Sequence, residues 1–381
     1  MGRHDVYTDG LRDSDDPSIA YRARRRLDGL PEWDVRQLGL RARVATTPNV
    51  QRLLSRRDSD GRIRLGNEYH CYRKFQGAHW TLAALAELGY PPGDPTLMPL
   101  VDQVHEWLRS RQHLRPPSTQ VIPGQADRVR RCASQEGLAI WYFHELGLAD
   151  RRVDDLVSRL VELQWPDGGW NCDKDPAART SSVQETLLPL RGLARHVAAG
   201  SEERRATREL TAARAATTSP APGVSEAVDA ATEFLLQRRL LWRRHDGAVL
   251  RPAWGPDPML IQWPIRFYDV LSVLVVMTEL GRIADPRCVD ATRVLAGKRL
   301  PSGGFPAEAR TARTVSSVVT RGTFAEWGPS GRSRPNPFVS IDAAWVLDRA
   351  DAAHTIQRAG TGQARPGTPE RSGTMAPWRS R

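Results

Sequence analysis

The chain lacks every paired-cysteine signature. Its four cysteines, Cys71, Cys132, Cys172 and Cys288, stand far apart with no Cys-x-x-Cys among them. That spacing fits neither a zinc knuckle nor a disulfide framework, so reduced thiols are expected and no metal site is. Long apolar runs are missing too. The longest, Val270 to Met277 interrupted by Ser272, is far shorter than the ~20 residues that a membrane-spanning helix needs. The N-terminus, "MGRHDVYTDGLRDSDDPS", has no apolar core of a secretory signal, which makes the cytoplasm the expected compartment. Sustained period-2 alternation and Asn-Gly hairpin turns are both absent, so the class is all-α.

What the 381 residues do hold is charge. Lysine and arginine number 55 against 44 acids, a formal net charge of +11. Residues Gln357 to Arg381 carry five arginines against the single Glu370, and elsewhere arginines alternate with acids, as in "ADRRVDDLVSR". Such interspersion describes a solvated surface, not a polyanion-binding face, so no nucleic-acid partner is expected. Anionic small molecules and lipid headgroups, the latter through peripheral membrane contact, stay open as partners. Hydrophobic residues make up 40% and the mean hydropathy is -0.49, enough apolar material for one large core.

From residue 74 two kinds of helical segment take turns. "KFQGAHWTLAALAELGY", "SQEGLAIWYFHELGLAD", "SVQETLLPLRGLARHV", "WPIRFYDVLSVLVVMTELGRIADPR" and "NPFVSIDAAWVLDRA" are apolar on nearly every face, whereas "LVDQVHEWLRSRQ", "RRVDDLVSRLVELQ", "VDAATEFLLQRRLL" and "RCVDATRVLAGKRL" have one stripe. A helix apolar all round must be enclosed, and a one-striped helix lies outside. Three enclosed segments end in Leu-Gly, at Gly89, Gly147 and Gly281, where glycine can take the left-handed position past a helix end. A two-helix unit recurring every roughly 45 to 60 residues signals stacked or ring-closed hairpins. The body is therefore placed at 67–352, after a short helical N-terminal extension at 1–66. It carries a low-complexity insertion at 201–224, and a tail at 353–381 is too poor in apolar residues to order itself. In the extension, Asp15 or Asp16 can cap a helix opened by Pro17, and a second helix fits "DVRQLGLRARVA".

One turn carries a resemblance. Gln164, then Asp167-Gly168-Gly169-Trp170, then Ser181-Ser182-Val183-Gln184-Glu185-Thr186-Leu187 resembles the Gln-Trp repeat of squalene-hopene and oxidosqualene cyclases, with a similar version in protein prenyltransferase β subunits. "RLPSGGF" at 299–305 looks like a degenerate second copy with Arg299 in the glutamine's place. The resemblance implies an α/α toroid, with inner helices around a central cavity that holds an isoprenoid and outer helices around them. It also gives Gln164, Gly168, Gly169 and Trp170 a structural role, closing the outer helix while the glutamine caps it or bridges to the backbone of the next repeat, tying turns together.

If the inner helices run parallel, their starts gather at one mouth, and polar residues recur there: His79, Glu136, Glu185, Asp269 and Asp342. An apolar site raises a carboxyl's pKa, which suits a general acid, so Asp269 and then Glu136 are the catalytic candidates. Trp80, Trp141, Trp263, Tyr268 and Trp345 could line a hydrocarbon pocket and face a carbocation; helix capping, arginine pairing and core packing are the competing roles. The cyclases' Asp-x-Asp-Asp motif has its only counterpart in "DSDD" at 13–16, where helix capping explains it, and "CDKD" at 172–175 lies in a turn. The prenyltransferases' Asp-x-Cys zinc spacing is absent, with Cys172 beside Asp173 and His70 beside Cys71 only irregular substitutes. No cofactor is expected. Three functions stay open: a carbocation cyclase, a diphosphate-dependent prenyltransferase, and a non-catalytic binding or scaffold protein on the same fold. The resemblance points to a hydrophobic, isoprenoid-like small molecule as the partner, whereas a scaffold would have a filled or open centre with every acid paired.

Overall fold

The computed structural model describes residues 5–65, 71–114, 131–172, 178–210, 223–251 and 257–360. His70, Asp173, Lys174, Asp175, most of the 201–224 insertion and the tail beyond Gly360 lie outside the described residues. Thirteen α-helices are described: α1 (Val6–Gly10), α2 (Pro17–Arg26), α3 (Val35–Ala45), α4 (Pro48–Leu54), α5 (Ala78–Leu88), α6 (Met98–Arg109), α7 (Ala133–Glu145), α8 (Arg151–Glu162), α9 (Val183–Leu210), α10 (Val224–Leu236), α11 (Val270–Glu279), α12 (Val289–Ala296) and α13 (Pro337–Gly360). Among the described residues strand structure amounts to two short parallel pairs, Gln262–Trp263 on Ala309–Arg310 and Arg313–Thr314 on Gly322–Thr323, and two isolated antiparallel bridges. The chain is all-α.

Local chemistry sets the helix limits. Asp16 caps α2 by accepting from the Ser18 amide at 2.8 Å, with Pro17 in the first turn. Gly89, Gly147 and Gly281 all take positive φ past α5, α7 and α11, closing those helices with a left-handed residue. Every residue of α5 is buried, whereas α8 buries only Val153, Leu156, Val157 and Leu160. The apolar helices pack in succession, α5 on α7, α7 on α9, α9 on α11 and α11 on α13, while α6, α8, α10 and α12 each cover members of that series. Closest is α7 on α9: a Cβ on Gly137 would stand 2.3 Å from Pro189 Cα, and one on Gly192 would stand 2.3 Å from the Gly137 oxygen.

The residues expected as an N-terminal extension pack into this body. Helix α2 lies on α13, and Tyr21 sits so close to Gly89 at the end of α5 that a Cβ there would meet its ring at 2.4 Å. Helix α3 follows with an inverted orientation, burying Gln37, Arg41 and Val44. Arg41 explains the inversion: its Nη2 donates to the carbonyls of Tyr90, just past α5, at 2.6 Å and of Glu145, the last residue of α7, at 3.2 Å. At the other end of the chain α13 runs to Gly360, past the expected limit at Ala352, because residues 353–360 prolong a helix already formed.

The glycine turns repeat in detail. The Trp165 amide donates to Gly169 and the Gly168 amide to Trp165, and 135 residues on, Leu300 donates to Gly304 and Gly303 to Leu300. Gln164 Nε2 donates to the Gly168 carbonyl at 2.8 Å and the Ala227 carbonyl at 2.9 Å, joining the turn to α10. Trp170 is fully buried, its indole N–H donating to Leu160 and its amide to Thr186 Oγ1. In the second turn Arg299 lies over the ring of Phe305 at 4.7 Å, and the Phe305 amide donates to Ser340 Oγ.

Candidate functional site at the starts of the apolar helices

The carboxylates come first, because their pairing decides what chemistry is open. Glu136, fully buried in the first turn of α7, accepts from His113 Nε2 at 2.9 Å and Arg131 Nε at 3.0 Å and pairs with Arg159 Nη2 at 2.8 Å. Burial alone would raise its pKa, but Arg131, His113 and Arg159 together hold it down to about 2. A carboxylate so held accepts hydrogen bonds and does not deliver protons. Asp342 is gripped in bidentate fashion by Arg22, at 2.9 and 2.7 Å. Asp269 has no cation partner among the described residues: it caps α11, taking the Ser272 amide on Oδ1 at 2.8 Å and the Gln262 amide on Oδ2 at 3.1 Å, and burial pushes its pKa up to about 7. Glu185 accepts from the Ser134 amide at 2.9 Å, and burial raises it too. Neither Asp269 nor Glu136 lines any of the three cavities described below.

Between the two ends of the apolar helices runs an arginine–carboxylate network that sequence reading missed. Glu87 on α5 receives three guanidiniums: Arg191 Nη1 at 3.2 Å, Arg22 Nη1 at 3.3 Å and Arg266 Nη1 at 3.5 Å. Arg191 also binds Glu279 through Nε at 3.0 Å and Nη2 at 3.1 Å, and Arg26 reaches Glu279 at 2.6 Å. The available signal was charge inside apolar helices, Glu87 in "LAALAELGY" and Arg191 in "LLPLRGLARHV", since charges placed there must pair. The network divides the expected ligand-cavity tryptophans into two groups. Trp141 and Trp345 border a cleft of about 510 Å³ at the carbonyl ends, each covered by a guanidinium, Arg191 at 4.1 Å and Arg26 at 4.0 Å. Trp80 and Trp263 lie at the amino ends.

Those amino ends meet. Phe75, ahead of α5, packs on Phe267, ahead of α11, with ring centroids 6.2 Å apart, and Trp263 stacks on Phe338 in the first turn of α13 at 5.7 Å. His79 is buried against Tyr142, its Nδ1 3.1 Å from that hydroxyl, and burial keeps it neutral. Tyr268 is spent on packing, donating its hydroxyl to the Leu240 carbonyl. Between these ends a groove of about 230 Å³ is bordered by Trp263, Thr311 and Trp327, and it adjoins an inner space of about 20 Å³ bordered by Phe75, Trp80 and Arg266. Arg266 is buried, and both of its hydrogen bonds, to the Ile265 carbonyl and Glu87, leave from Nη1. Burial lowers its pKa to about 10 against the pull of Glu87. Lys74 rests over the rings of Phe267 at 4.8 Å and Phe75 at 5.3 Å, and burial and Arg321 lower its pKa. The Trp263 indole N–H is buried with no acceptor. Among the described residues no three of His, Cys, Asp or Glu are grouped to share a metal ion, and no helix is long and apolar enough to cross a membrane.

No family model matches the chain, and no curated protein matches it. Among solved structures it is similar to a type II terpene cyclase from Scytonema in complex with merosterolic acid A, its product, at 14% identity over 83% of this chain and 98% of that chain, with a TM-score of 0.24. A likeness at that TM-score leaves architecture and activity to be argued from this chain's own residues.

Proposed function

We propose that the protein is an α/α toroid, with α2, α5, α7, α9, α11 and α13 as inner helices, that binds an isoprenoid-type molecule bearing an anionic head at the mouth where the inner helices begin. The observation that carries this reading is Arg266, a buried guanidinium beside Phe75 and Trp80 whose one carboxylate is shared with two other arginines. An apolar wall with surplus buried positive charge suits a greasy molecule ending in an anion, and helix amino ends add to the attraction. Trp263 supplies an unused donor to the same mouth. Binding is favoured over alkene protonation, because Glu136 and Asp342 are paired, Asp269 caps α11 away from the groove, and Glu326, the carboxylate that borders the groove, is exposed to water and faces Arg52.

Titration of the full chain with farnesyl diphosphate, followed by tryptophan fluorescence, tests the reading. Arg266→Met leaves Glu87 paired with Arg22 and Arg191 and should weaken binding by roughly 10- to 150-fold, the value of one charge-assisted hydrogen bond of about 1.5–3 kcal/mol. Squalene, which has no anionic group, should neither bind tightly nor change. A cyclised product from squalene, or equal binding by the Arg266 variant, overturns the proposal.

A further inference from the structure

Helix α3 turns its polar face inward, and the face it leaves outside is apolar. Val35 is 80% exposed, Leu38 49% and the adjoining Trp33 78%, so three of the four exposed large hydrophobic side chains among the described residues fall within six positions. Gly39, Ala42 and Arg43 continue the same exposed face. The glycine has no internal role: a Cβ added to Gly39 would meet nothing within 4 Å. Arg43 has no ion pair among the described residues, whereas Asp34, which caps the helix and pairs with Arg36 at 3.0 Å, sits at its other end.

Size and charge along this face are ordered in a way that complements itself. The large residues, Val35 and Leu38, occupy the first half, and the small ones, Gly39 and Ala42, the second. Two copies of α3 laid antiparallel about a two-fold axis between Leu38 and Gly39 set Leu38 on Gly39 of the second copy and Val35 on its Ala42. The same operation brings Asp34 to Arg43 of the second copy, twice, so that each Asp34 carboxylate is shared between its own Arg36 and the incoming Arg43. Large on small allows the helix axes to approach closely, and opposite charges at both ends fix the direction. A parallel pairing would set Leu38 on Leu38 and arginine on arginine. We infer that the exposed face of α3 is the contact surface of a symmetric dimer of this chain, with Trp33 of each copy covering the last turn of its partner's helix. A stable dimer buries about 800 Å² per partner, of which one tryptophan supplies roughly 150–250 Å².

Light scattering coupled to size exclusion on the full chain tests the inference. The wild type should elute at twice the chain mass of 42.5 kDa and fall to monomer on dilution. Leu38→Arg and Gly39→Leu should both elute as monomers. Gly39→Leu is the decisive variant, because it fills empty space in the monomer and should leave the melting temperature of the dilute protein unchanged, so it stands even if Leu38→Arg folds poorly. A wild type that stays monomeric at the highest attainable concentration, or a Gly39→Leu variant that stays dimeric, overturns the inference. Sedimentation of a monomeric wild type with phosphatidylserine vesicles, lost in Leu38→Arg, also overturns it and assigns the face to a lipid surface.

Discussion

Asp342→Asn is the sharpest probe of how α2 ties α13 to α5. Arg22 on α2 holds Asp342 on α13 through two short hydrogen bonds and reaches Glu87 on α5, so one side chain joins both ends of the helix series through the N-terminal segment. The asparagine keeps the shape but leaves the guanidinium sharing Glu87 with Arg191 and Arg266, and of these three only Arg191 has a second carboxylate among the described residues, Glu279. Removing one partner of a buried ion pair costs about 3–5 kcal/mol, and that is the loss expected in urea denaturation followed by far-ultraviolet circular dichroism. Arg22→Met with Asp342→Leu should recover most of it, since an apolar replacement of both partners is neutral or better. Glu87 keeps two arginines in that double variant. A single variant that loses less than about 1 kcal/mol, or a double variant no better than the single, would refute the argument that α2 is an integral part of the helix packing.

Other outcomes follow from the same contacts. Gly137→Ala forces a methyl onto the backbone of Pro189, which cannot swing aside; overpacking of that kind should cost about 3 kcal/mol by thermal melting, and a neutral result would mean that α7 and α9 do not touch there. Trp170→Ala should cost about 3–5 kcal/mol, as large core truncations do, and Gln164→Ala about 1–2 kcal/mol from the two hydrogen bonds it loses, with farnesyl diphosphate binding per folded molecule unchanged in both. Asp269, with a folded pKa near 7 above the unfolded value of ~3.9, contributes stability that is complete below pH ~4 and lost as the pH rises through 7. Asp269→Asn, which can still accept from Ser272, should therefore gain melting temperature relative to wild type between pH 4 and 8, and a constant difference would sink the assignment. Glu136 has the opposite sign: held near 2, it stabilises above the unfolded value of ~4.3 and its contribution is lost as the pH falls toward 2. Glu136→Gln should flatten that acid limb.

The helical periods, the Leu-Gly stops, the Asp16 cap and the Gln164-to-Trp170 turn were legible in the chain, because each rests on residues a few positions apart whose geometry is local. The polar residues at the helix starts were legible as positions but not as roles. Nothing near Glu136 in sequence announces Arg159, and Arg22 is 320 residues from Asp342. Only packing brings such partners together. A carboxyl's chemistry depends on which cations desolvation leaves beside it, and that is a property of assembled helices. The orientation of α3 is the same kind of fact. Its apolar stripe, read alone, belongs inside; the unfilled carbonyls at the ends of α5 and α7 draw Arg41 inward instead, since an unmade buried hydrogen bond costs more than an exposed leucine.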